Sequence, residues 1–212
     1  MHPFTCVAVA IVVASPAAFS IQSPPNRLPF TCAAFSPTTT ETELRARFGS
    51  ENVSTDSVPD HNGAEGDRTT GTVLFARDPD ARLEISWNEP VAKRQPAFIA
   101  QRGPRGRWRT AAGITLGTDL KTIEKLNRRP FRLAGMAFDA QGTVMSWSGG
   151  LLESQDAPGC HVGIRVRLES SSSATYTLER QIMGDKQFSS GHPAMQALNP
   201  TVYELFIRYG RS

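Results

Sequence analysis

The sequence predicts an α+β fold in which two short-helix-plus-antiparallel-strand units share a mainly antiparallel sheet. Three observations lead there. Two stretches, Thr40–Phe48 and Thr118–Asn127, place apolar residues three to four apart behind residues suited to capping a helix. Several other stretches alternate large apolar side chains with smaller or polar ones, the period of a half-buried strand. The connections between these stretches are too short for parallel crossovers, so neighbouring strands are expected to run antiparallel.

Residues 1–20 read as a signal peptide. Val7 to Ala14 is a short apolar core, and in the following Ser15-Pro16-Ala17-Ala18-Phe19-Ser20 the small Ala18 and Ser20 fit a cleavage site. No Lys or Arg precedes the core, which leaves an uncleaved anchor as the rival reading, but the core is too short to span a bilayer. The expected location is therefore periplasmic or secreted. Cleavage removes Cys6 and leaves Cys32 and Cys160, and two cysteines in an oxidising compartment are expected to form a disulfide. The alternative, a nucleophilic Cys160 served by His161, is disfavoured because neighbours in a strand point to opposite faces.

Residues 21–37, rich in Pro, Ser and Thr, are expected to form an extended lead-in, and residues 38–212 a single α+β domain. Unit one spans about 38–89. Thr40 and Glu43 have capping-box spacing, Leu44 and Phe48 give an apolar stripe, and Gly49 stops the helix. Gly71–Phe75 and Arg82–Trp87 are its strands, around the turn Asp78-Pro79-Asp80. Between helix and strands, Asp60, Asn62, Glu65 and Asp67 lack the ligand spacing of a calcium loop, so no metal is predicted. Asn52-Val53-Ser54 is a glycosylation sequon, relevant only to a eukaryotic secretory route.

Residues 90–112 read as a basic connector and about 113–169 as unit two. Thr118 is the candidate N-cap there, with Asp119 at the positive end of the helix dipole. Leu120, Ile123 and Leu126 form the stripe, and Asn127 and Pro130 end it. Phe131–Phe138 and Thr143–Trp147 are strands around the turn Asp139–Gly142. Gly-Thr-Val opens a strand and Ser-Trp closes one in both units, which suggests a diverged repeat. Cys160–Leu168 alternates cleanly, with Val162, Ile164, Val166 and Leu168 inward and Arg165 and Arg167 outward. The C-terminal part, 174–209, is expected to supply further strands, with Ala174–Ile182 returning as a partner and Tyr203–Tyr209 closing the sheet.

The net charge of +3 conceals an asymmetry. From Pro37 to Glu89 there are 11 acids against 5 bases, and from Pro90 to Phe138 there are 11 bases against 2 acids. The densest part, Arg102, Arg105, Arg107, Trp108 and Arg109, is the candidate ligand-binding segment. Arginine forks suit phosphate, sulfate or carboxylate, and an exposed Trp108 would stack on a ring. Two other readings stand beside it: the basic half meets an acidic partner or second copy, or the two halves of one chain neutralise each other. Trp87 and Trp147, at equivalent strand ends, are expected in the core.

Catalytic signatures are lacking. There is no nucleophile elbow, zinc-helix motif, phosphate loop or dinucleotide fingerprint, and the four histidines are scattered. No catalytic residue, cofactor or nucleic-acid partner is predicted, nor a membrane span in the mature chain. The expected partner is a protein or an anionic polymer of the cell envelope, and the expected role is binding. The alternative class is an envelope hydrolase, which a cleft with Asp139, His161 or Asp185 converging would favour.

The runs Leu44-x-x-x-Phe48-Gly49-x-x-Asn52-Val53, Gly71–Phe75, Leu83–Trp87, Trp108-Arg109-Thr110, Gly113–Thr118 with Leu120, Asn127, and Pro130-Phe131-x-Leu133 resemble a family of uncharacterised bacterial exported proteins. The resemblance covers about Cys32 to Gly149. In element order alone the chain is similar to the tandem units of β-lactamase-inhibitory proteins and of the assembly lipoprotein BamE. That likeness implies binding rather than catalysis, and it carries over no functional residue.

Overall fold

A computed structural model describes residues 27–61, 66–137, 140–169 and 174–210. The fold is α+β, with short helices against a mainly antiparallel framework. The leader, the loop residues Asn62 and Glu65, and Asp139 lie outside the described residues.

The lead-in is packed rather than merely extended. After β1 (Leu28–Pro29), Phe30 and Phe35 are fully buried, because both rings contact Trp108, with centroids 6.4 and 5.5 Å away. Between them Cys32 is disulfide-bonded to Cys160, with Cα atoms 6.0 Å apart across 128 residues of sequence. α1 (Glu41–Phe48) begins with the expected capping box: Thr40 Oγ1 accepts from the Glu43 amide, and the Glu43 carboxylate accepts from the Thr40 amide. Gly49, at φ 87°, ends the helix in a conformation that favours glycine.

β2 (Val53–Pro59), β3 (Arg68–Leu74) and β4 (Leu83–Glu89) follow as expected for unit one. The segment 90–112 is not a connector, since it contains β5 (Arg94–Arg102), nine residues long. The apolar run from Pro96 to Ala100 builds this strand, and the cations around it hide it in the sequence. Pro96 is tolerated because it lies opposite Trp87, where the register shifts by a bulge. β6 (Trp108–Arg109) pairs in parallel with β1.

α2 (Leu120–Asn127) has the expected span, but its N-cap is Asp119, whose carboxylate accepts from the Thr122 amide at 3.0 Å. The Thr118 hydroxyl is occupied one turn earlier, accepting from the Thr115 amide. Leu120 and Ile123 are buried, while Leu126 turns outward. Asn127 completes the inner face, donating to the Trp147 carbonyl at 3.0 Å and accepting from the Leu152 amide at 3.1 Å. Arg128 closes the helix at φ 61°.

The chain continues through β7 (Arg132–Ala134), β8 (Val144–Ser146), a 3-10 turn at Leu151–Gln155 and β9 (Cys160–Arg167). It ends with α3 (Tyr176–Arg180), β10 (Gln187–Ser189), α4 (Pro193–Leu198) and β11 (Thr201–Tyr209). The expected strand over 174–182 is thus a short helix. β9 pairs with β11 on one side and carries the isolated bridge from Thr143 to Arg165 on the other. Leu178 and Ile182, four residues apart, instead pack on the core from a helical turn. In β11 a bulge between Val202 and Glu204 puts Val202, rather than Tyr203, on the inner face.

The large sheet has the order β2-β3-β4-β5-β11-β9, with every pairing antiparallel, and β10-β7-β8 form a second, small sheet. Of the strands of unit two, β7 and β8 therefore form an annexe while β9 lies in the large sheet; the annexe is joined to it at the Thr143–Arg165 bridge and by the Val166 amide donating to the Gly142 carbonyl. One continuous core, from Phe30 to Tyr209, covers the inner face of the large sheet. Because strand neighbours alternate, Phe98, Ala100 and Phe206 fall on the outer face and make a separate apolar cluster there.

Candidate functional site

The charge-dense segment does not form a free basic loop. Arg105 pairs with Asp80 at 3.1 Å, and Arg107 pairs with Asp78. Arg102 reaches Glu84 at 2.9 Å and Glu204 at 2.6 Å. Arg109 donates to the Gly113 carbonyl at 3.3 Å. Trp108 is 0 % exposed and cannot stack on a ligand; its Nε1 donates to the Ala81 carbonyl at 2.7 Å. The acidic turn between β3 and β4 folds against this segment, so the acidic half of the chain neutralises the front of the basic half. Trp87 and Trp147 are buried, as expected.

The rest of the basic half is differently placed. Lys121 and Lys125, and then Arg128, recur on the solvent face of α2 at helical spacing, and Arg129 and Arg132 follow them; all five are exposed. None of the five forms an ion pair with an acid among the described residues, in contrast to Lys93, Arg94, Arg102, Arg105 and Arg107. Glu124, the one acid within α2, accepts from Ser190 Oγ at 2.5 Å and from Gln196. Beside this cationic stripe Leu126 is 36 % exposed, and Leu151, on the 3-10 turn packed against α2, is 54 % exposed. The periodicity of the lysines was readable in the sequence, but their lack of partners was not.

A cleft of about 400 Å³ opens on the outer face of the large sheet. Its floor is a ladder of rings: His61 stacks on Phe98 with centroids 3.5 Å apart, and Phe98 stacks on Phe206 at 5.2 Å. His161, Arg165 and Arg208 line the cleft on the β9–β11 side, with Ala140, Thr143, Val144 and Met145 completing the lining. His161 Nδ1 bonds to Asp156 Oδ2 at 2.8 Å. That carboxylate fixes the tautomer with the proton on Nδ1 and leaves Nε2 as an acceptor. His161 is therefore paired with Asp156 and not with Asp185, and no Ser, Thr or Cys hydrogen-bonds it among the described residues. Glu204, 1 % exposed, lies between Arg102 and Arg165, with Arg165 at 3.4 Å, so its buried charge is compensated on both sides.

The imidazole face of His61 is covered by Phe98, although the residue as a whole is exposed. Desolvation first, then the positive charges of Arg102 and Arg165, push its pKa down from 6.5 to about 4, with Asp60 opposing. The unfolded chain protonates near 6.5 while the folded one resists until about 4. Stability from this group is thus complete above pH 6.5, falls as pH drops toward 4, and is flat below. Solvent at the open edge of the ring keeps the loss well under the ~1.4 kcal/mol per pKa unit of a fully buried group. Urea midpoints measured from pH 7 to pH 4 should fall less steeply in His61→Phe than in the parent; parallel curves would show that His61 does not sense the folded state.

Fold and site together define an α+β protein closed by a disulfide, with a charged cleft on the open face of its large sheet and a cationic helix beside it. Compared with known family models, curated proteins and solved structures, the chain matches none. The Cys32–Cys160 bond fits an oxidising compartment. No helix among the described residues is long and apolar enough to cross a membrane. Among those residues, no group of three or more His, Cys, Asp or Glu is placed to hold a metal ion.

Proposed function

We propose that this is an exported, non-enzymatic binding protein that engages an anionic polymer of the cell envelope through the exposed face of α2 and the start of β7. The observation that carries this reading is the run of cations from Lys121 to Arg132, without an ion pair among the described residues, while Arg102, Arg105 and Arg107 are each paired with an acid. Unpaired guanidinium and ammonium groups on one face make a positive field that attracts a polyanion over about a Debye length. Leu126 and Leu151 add apolar contact at its edge. Export is supported by the disulfide together with the apolar leader and its small-residue cleavage pattern.

Two double variants with the same loss of net charge test the placement. Lys125→Gln/Arg128→Gln should elute from an anionic-polysaccharide column at distinctly lower salt than the parent, with roughly tenfold weaker binding, or ~1.4 kcal/mol. Arg105→Ser/Arg107→Ser should elute close to the parent. Equal displacement of both variants would reduce the effect to net charge, and an unshifted α2 variant would remove the reading.

A further inference from the structure

We propose that the cleft on the outer face of the large sheet is a second, separate binding site for a small organic anion, its carboxylate or phosphate head on Arg208 and its apolar body against Val144 and Met145. The volume of about 400 Å³ suits a small molecule. Arg208 is exposed, forms no ion pair among the described residues, and lies directly across from His161 in the β11–β9 register. His161 lines the same cleft and, with Nε2 left as an acceptor, adds no donor of its own. Arg165 has a buried Nε with no hydrogen-bond partner, although its other end reaches Glu204. Arg208 therefore gives the wall donor capacity that the protein itself does not use. Opposite, Met145 is 51 % exposed, and a flexible thioether suits an irregular apolar ligand.

The site is preorganised. Gly163 has no side chain because Phe206 occupies that space: a Cβ there would lie 2.0 Å from the ring. The ring lies flat on β9 and carries the Arg165 guanidinium, 5.8 Å from its centroid, and behind it Phe98 is clamped by His61. The floor thus fixes both the cation and the rim before any ligand arrives.

Titration of the folded protein with benzoate, phenyl phosphate, inorganic phosphate and benzyl alcohol, following the imidazole NMR signals of His161 and His61, tests the proposal. One or both phenyl-bearing anions should give saturable shifts. The tighter of the two identifies the head group as carboxylate or phosphate. Inorganic phosphate and benzyl alcohol should bind at least tenfold more weakly. Arg208→Gln, a change at an exposed position, should weaken the better probe by tenfold or more, and Lys125→Gln/Arg128→Gln should leave it unchanged. The last result separates this site from the α2 face, whose failure on a polysaccharide column would not touch it. No saturable shift with either phenyl anion, phosphate binding as well as phenyl phosphate, or unaltered affinity in Arg208→Gln would overturn the proposal.

Discussion

Replacing Trp108 by alanine is expected to cost about 3–5 kcal/mol of folding stability, the range for a large aromatic removed from a closed core. The indole is fully buried, with the rings of Phe30, Phe35, Phe48 and Phe75 at centroid distances of 6.4, 5.5, 5.8 and 6.4 Å. These residues come from the lead-in, from α1 and from the end of β3, so one side chain joins three separate stretches of chain. Its Nε1 also satisfies the Ala81 carbonyl, which alanine would leave without that donor. Trp108→Phe should recover most of the packing and lose mainly the hydrogen bond, about 1–2 kcal/mol. Urea denaturation of the three proteins checks both values. A loss near 1 kcal/mol for the alanine variant would show that the aromatic cluster closes around the gap.

Removing the disulfide should have an effect of similar size. Cys32 and Cys160 close a loop spanning 128 residues, for which chain entropy alone gives close to 5 kcal/mol. The bond also anchors the lead-in, whose only strand pairing among the described residues is the two-residue β1–β6 ladder. The double variant Cys32→Ser/Cys160→Ser is therefore expected to lose about 2–5 kcal/mol, with the lead-in amides exchanging first. Hydrogen exchange measured alongside denaturant unfolding would show it. Unchanged protection at Phe30 and Phe35 would mean that the aromatic packing holds the segment without the covalent link.

The parts of this fold legible in the sequence are those specified locally. The capping box at Thr40 and Glu43, the span of α2 and the alternation of β9 depend on residues a few positions apart, and each is present as expected. The parts that were not legible depend on distant partners. β5 is the best example: charged at both ends and interrupted by Pro96, it is a strand because β4 and β11 flank it. Residues 174–182 have an alternation that would suit a strand, but Leu178 and Ile182 meet the core from a helical turn instead. The candidate site divides in the same way. That Arg102 to Arg109 are basic is plain from the sequence, yet whether an arginine is available depends on where Asp78, Asp80, Glu84 and Glu204 fall. The cleft itself had no sequence signal, since His61, Phe98, His161 and Arg208 come from four widely separated stretches of the chain.

The position of β11 has a consequence for the order of assembly. It lies inside the large sheet, between β5 and β9, although it is the last of the six strands in the chain. Until Thr201–Tyr209 has been synthesised, β5 and β9 each present a bare hydrogen-bonding edge and the inner face has no middle. A chain lacking this stretch has no partner to place between β5 and β9, so the large sheet closes only when its final strand enters the gap.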